Sequence, residues 1–177
     1  MHHTIFVGGI HGVGKTEFCK VVAQHLYIDH ISASDLIRKS GKLFSTAEKQ
    51  IGKVTENQNL LVDALRAYKS GFKALLLDGH FCLLDKQFKI QNIPLTIFDQ
   101  IAPKAAIVMT NKAEIITDRL RIRDGVSYSL DLINAFQENE IDYAKNVCQS
   151  LNIPLMIRNS DSNMSEDIAF MRGWLSK

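Results

Sequence analysis

The sequence predicts an α/β fold, a parallel sheet with helices packed on both faces. Short runs that are apolar throughout, Ile5–Val7, Ala74–Leu77 and Ala105–Met109, read as strands covered on two sides. Between them lie longer segments whose apolar residues recur at helical spacing. Alternation of the two kinds favours parallel strands joined by crossover helices over an antiparallel meander.

Taken in order, Ile5-Phe6-Val7 ends at Gly8-Gly9, a strand running into a loop. From Lys15 to Leu26, Phe18, Val21, Val22 and Leu26 keep helical spacing. A weak strand over residues 27–32 precedes a helix that Ser34 or Asp35 can cap. Leu60, Leu61, Ala64, Leu65 and Tyr68 form a helical stripe. The next strand ends at Asp78-Gly79. The residues after it read as loop up to the strand at 105–109. Helical patterns follow over 114–120 and 130–151, then a last strand at 153–157 and a terminal helix over 164–175. The predicted order is βα, βα, α, β, loop, βα, α, βα, which supplies five strands.

At 177 residues the chain reads as one domain, 1–177, large enough to bury a core without disulfides or metals. With 46% hydrophobic and 23% charged residues it is not a disordered chain. A net charge of +2 speaks against a bulk nucleic-acid binder. Cys19, Cys82 and Cys148 have neither metal-ligand nor redox spacing and suit a reducing compartment. No apolar run is long enough to span a bilayer, and the N-terminus lacks signal-peptide architecture, so a cytoplasmic location away from membranes is expected.

One motif carries chemistry. Residues Gly9-Ile10-His11-Gly12-Val13-Gly14-Lys15-Thr16 match G-x-x-x-x-G-K-[ST], between a predicted strand and a predicted helix. Gly9, Gly12 and Gly14 let successive N–H groups turn inward around an anion, with His11 and Val13 between them. The helix N-terminus adds its positive end, Lys15 reaches β- and γ-phosphates, and the Thr16 hydroxyl ligates Mg²⁺. The expected ligands are therefore ATP and Mg²⁺. Asp78, ending an apolar strand, is placed beside the metal; its alternative is to cap the following turn.

Together with this loop, His30-Ile31-Ser32-Ala33-Ser34-Asp35-Leu36-Ile37-Arg38, Leu76-Leu77-Asp78-Gly79-His80 and Thr117–Asp124 resemble three further marks of adenylate-kinase-type nucleoside monophosphate kinases. The pattern is most similar to the archaeal type. The resemblance implies the three-layer P-loop NTPase fold, with sheet order 2-3-1-4-5, a short lid at about 119–128 and an acceptor-binding segment at about 33–70. Within that segment, the polar and irregular Gly41–Val54 is expected to move. It also implies roles: Arg38 on the acceptor's phosphate, Ser34, Asp35 and His80 around the acceptor, Arg119 and Arg123 on the transferring phosphoryl group, Asp78 on Mg²⁺.

Two arginines of the family pattern are absent. His80-Phe81-Cys82 follows Gly79 where Phe-Pro-Arg is common, and Glu140-Ile141-Asp142 stands where the late helix tends to carry an arginine. Arg38 and the Arg119–Arg123 group can also be read as solvated helix faces, and His80 as a structural hydrogen-bonding residue. The expected function is transfer of the ATP γ-phosphoryl to a small acceptor, first a nucleoside monophosphate. The alternatives are a small-molecule hydroxyl or, with no acceptor, a nucleotide-dependent regulatory ATPase. The partner is a small molecule, not a nucleic acid, and the enzyme is expected as a monomer or small homo-oligomer.

Overall fold

A computed structural model describes residues 3–44, 54–69, 71–85 and 87–175. Its main sheet contains β1 (His3–Gly8), β2 (Asp29–Ser32), β3 (Ala74–Asp78), β6 (Ala105–Met109) and β7 (Leu155–Arg158), ordered β2-β3-β1-β6-β7 and parallel throughout. Counted alone, these five strands follow the expected 2-3-1-4-5. The labels differ because a short antiparallel hairpin, β4 (Cys82–Leu84) with β5 (Ile90–Asn92), interrupts the numbering.

Alternation along the strands builds two cores. Ile5, Val7, Leu76 and Ile107 face α1 (Lys15–Leu26), α5 (Ala113–Asp124) and α7 (Met164–Leu175). Phe6, Leu77, Ala106 and Val108 face α2 (Ala33–Phe44), α3 (Val54–Ala67) and α4 (Leu95–Ile101). The long α6 (Leu130–Leu151) serves both: Ile133 and Phe136 enter the first core, Ala144, Val147 and Cys148 the second. Both faces being covered explains why β3 and β6 are buried at every position.

The stretch expected as loop after β3 holds the hairpin and α4. Three-residue strands and a seven-residue helix are too short to show a period, so their order comes from packing: Phe98 stacks on Phe81 at 5.1 Å and meets Phe6 edge-on at 5.4 Å. Helix α3 begins at Val54, earlier than the apolar stripe shows, and α2 runs to Phe44. The remainder of the segment expected to move, 45–53, lies outside the described residues.

Register brings the ends of four strands together. Val7 and Ser32 both pair with Asp78, and Gly8 pairs with Val108, so the C-terminal ends of β1, β2, β3 and β6 converge. That edge is where an open parallel sheet binds ligands. Among the described residues, no helix is long and apolar enough to cross a membrane.

Candidate active site

The loop joining β1 to α1 has the geometry its glycines predict. Gly9, Gly12 and Gly14 take φ of 143°, 82° and 109°, and a Cβ at Gly9 would stand 2.8 Å from the Met109 carbonyl oxygen. Gly14 opens α1 with no side-chain cap, which leaves the first-turn N–H groups free for an anion. Lys15 is buried, and its Nζ donates to the carbonyls of Gly9 and Ile10 at 2.6 and 3.1 Å. Burial lowers its pKa to about 8, against the opposing pull of Glu140 and Asp78. A buried ammonium held by neutral carbonyls is poised to take an anion.

The residues around Lys15 form a cleft of about 870 Å³, lined by residues 11–16 and by Asp78, Arg119, Arg123 and Arg158 among others. Arg119 Nη1 donates to the carbonyls of Gly12 and Val13 at 3.1 and 3.2 Å, holding α5 against the loop. Arg123 lies at the cleft wall with its guanidinium forked onto Asp124 at 2.6 Å for both contacts. Arg158, with no role assigned from sequence, is oriented by the buried Asp167 at 2.7 Å and lies 4.5 Å over the Phe18 ring. Its sequence signal was weak, a lone arginine ending a strand. These cations converge from α1, α5 and β7.

Asp78 is buried, and its Oδ2 accepts from His30 Nε2 at 2.6 Å. His30 belongs to the family-like stretch yet carried no assignment. Opposite, Thr16 presents its side chain to the same cleft. The hydroxyl and the carboxylate are hard oxygen donors beside a phosphate cradle, a donor set that fits Mg²⁺.

The floor of the loop is a residue whose signal was read as a missing arginine. Glu140, on α6 and almost wholly buried, accepts from Gly9 N–H at 2.7 Å, Phe81 N–H at 2.9 Å and Cys82 N–H at 2.7 Å, and from the Cys82 thiol at 2.9 Å. Burial raises its carboxyl pKa, with these bonds and Lys15 opposing. An arginine here would face three N–H donors; a carboxylate ties the phosphate loop to the segment after β3. The same contacts raise the Cys82 thiol, burial first, out of the reactive range.

On the acceptor side the residues separate. Ser34 and His80 line the cleft and a smaller cavity beside it. Asp35 and Arg38 do not reach either: they pair with each other at 2.8 Å on α2, with side chains 47% and 67% exposed. One helical turn separates them, and this local i,i+3 pairing competes with reaching across to a ligand. His11 is exposed at the cleft, yet the surrounding walls desolvate its ring, and with Lys15 and Arg123 lower its pKa to about 4.

Fold and site together define a P-loop protein of the kinase type: a parallel 2-3-1-4-5 sheet with a phosphate cradle at its C-terminal edge and arginines closing over it. The chain belongs to the AAA domain family, whose model matches residues 8–135. No curated protein sequence matches it. Solved structures similar to it include a gluconokinase from Sinorhizobium meliloti 1021, 12% identical, covering 99% of this chain and 94% of that one at a TM-score of 0.54. A shikimate kinase from Bacteroides thetaiotaomicron is 15% identical, covering 98% of each chain at 0.54. An uncharacterized protein from Eubacterium ventriosum ATCC 27560 is 12% identical, covering 99% of each at 0.51. At these identities the likeness is one of fold, and it is to P-loop kinases broadly, without singling out the adenylate kinase type.

Proposed function

We propose that this protein is an ATP- and Mg²⁺-dependent kinase that transfers the γ-phosphoryl group to a hydroxyl of a small molecule. The observation that carries the reading is an asymmetry of charge. Lys15, Arg119, Arg123 and Arg158 line the nucleotide cleft, whereas no lysine or arginine among the described residues lines the cavity on the acceptor side. A monophosphate acceptor brings about two negative charges and needs cations to offset its desolvation. A neutral alcohol does not.

In this reading the glycine-rich loop and Lys15 hold the triphosphate, and Arg119 and Arg123 gather charge on the transferring group. Arg123 exchanges Asp124 for phosphate when nucleotide enters. Thr16 and Asp78 hold Mg²⁺, which supplies charge neutralisation of the phosphates when bound. His30 fixes the Asp78 carboxylate through its 2.6 Å hydrogen bond. Asp78, which lines the cleft together with His80, would serve as the base for the hydroxyl proton.

The sequence pattern over His30–Arg38 supports a second reading, transfer to a nucleoside monophosphate, in which Arg38 leaves Asp35 to hold the acceptor's phosphate. The two part in one assay. ADP release from Mg-ATP is followed against sugars, other small alcohols, nucleosides and nucleoside monophosphates. Stimulation by an alcohol and not by a monophosphate is expected; stimulation by monophosphates alone overturns the hydroxyl reading. Turnover indifferent to every acceptor would leave a regulatory ATPase.

A further inference from the structure

At the junction of cleft and cavity two imidazoles face each other, His11 from the phosphate loop and His80 from the turn after β3, with ring centroids 4.1 Å apart. Behind them opens a cavity of about 150 Å³. Its walls are apolar, with Phe6, Ile37, Leu61, Ile93, Ile97 and Phe98 from four elements and the β5–α4 connection, and among the described residues its only polar side chains are Ser34 and the two histidines at the mouth. Cavities of that size lined by such residues hold a benzene-sized ring.

His80 carries the second observation. Its Nδ1 is buried and has no hydrogen-bond partner. A buried polar atom without a partner marks a ring whose hydrogen bonding is incomplete, which a ligand hydroxyl at the mouth would relieve.

We propose that this cavity takes the apolar body of the phosphoryl acceptor, a neutral alcohol with a ring or branched chain of about benzene size, and that its hydroxyl hydrogen-bonds to the His80 ring at the mouth. The inference rests on the hydroxyl-kinase reading and narrows its substrate class. His80 binds and orients the alcohol at the edge of the nucleotide cleft, and the apolar walls discriminate against polyols, whose further hydroxyls would be buried without partners.

The test uses benzyl alcohol as probe, with toluene, glycerol and AMP as comparators. Binding is measured by calorimetry, and ADP release from Mg-ATP is recorded in parallel. Saturable binding of benzyl alcohol, about 3–10-fold tighter than toluene, is expected. His80→Phe keeps a ring and should erase that preference while leaving toluene binding in place. Ile37→Trp and, independently, Leu61→Phe fill the cavity and should abolish binding of both probes, with melting curves reporting that each variant folds. Benzyl alcohol binding that is absent, or unchanged in both folded cavity-filling variants, overturns the inference. Should glycerol stimulate ADP release while benzyl alcohol neither binds nor stimulates, the hydroxyl-kinase reading stands and this inference fails. Stimulation by AMP alone removes both.

Discussion

Lys15 shows how far one residue's environment sets its chemistry. Its ammonium is buried, bonded to two neutral carbonyls and held at about pKa 8 by desolvation. Because the unfolded-state pKa is higher, the unfolded chain binds more protons between about pH 8 and the ordinary lysine range. Stability gained through this group therefore rises with pH across that window, and the cost of burying the charge is in full force below it. Nucleotide binding runs the other way, since triphosphate needs the charged form. The affinity for Mg-ATP should fall as pH rises above about 8, by up to tenfold per pH unit, and a calorimetric pH series measures it. Lys15→Ala should lower the affinity at least tenfold and remove that pH dependence. Arg38 is the counter-case. Exposed and paired to Asp35, it predicts that Arg38→Ala changes the acceptor's KM less than twofold, whereas loss of a charge-assisted phosphate contact, worth about 1.5–3 kcal/mol, would raise it more than tenfold.

At the scale of elements, α6 holds the glycine-rich loop in place. Glu140 accepts three backbone N–H groups, one from the loop and two from the segment after β3, so a single carboxylate couples α6, β1 and the hairpin. Glu140→Ala leaves those donors buried without an acceptor and should cost about 3 kcal/mol in urea unfolding. Elements also show what the sequence discloses and why. The phosphate loop was legible to the residue, because glycine spacing dictates backbone geometry locally. The apolar strands were legible because burial on both faces leaves no alternation to misread. The hairpin and α4 were not, since their order depends on Phe81 and Phe98 both meeting Phe6, 75 or more residues away. His30 and Glu140 were hidden for the same reason. A buried acid on a helix becomes informative only when its N–H donors, 58 and more positions away, are known.

For the whole molecule, one end of the sheet gathers what the sequence scatters. Lys15, Asp78, Arg119 and Arg158 come from four elements and line one cleft, while the neighbouring cavity is apolar. Binding that draws those elements together should stabilise the fold globally. Mg-ATP at about 100 times its Kd should add about 2.7 kcal/mol to unfolding, read as a rise in midpoint that Lys15→Ala loses at the same concentration. The central claim concerns where the phosphoryl group goes, and phosphorus NMR of the reaction products reads it directly. With Mg-ATP and a panel of neutral alcohols and nucleoside monophosphates, the account predicts ADP and a phosphate monoester of an alcohol, with no such product from Lys15→Ala. A nucleoside diphosphate made from a monophosphate, or inorganic phosphate as the sole product with every acceptor, would contradict it.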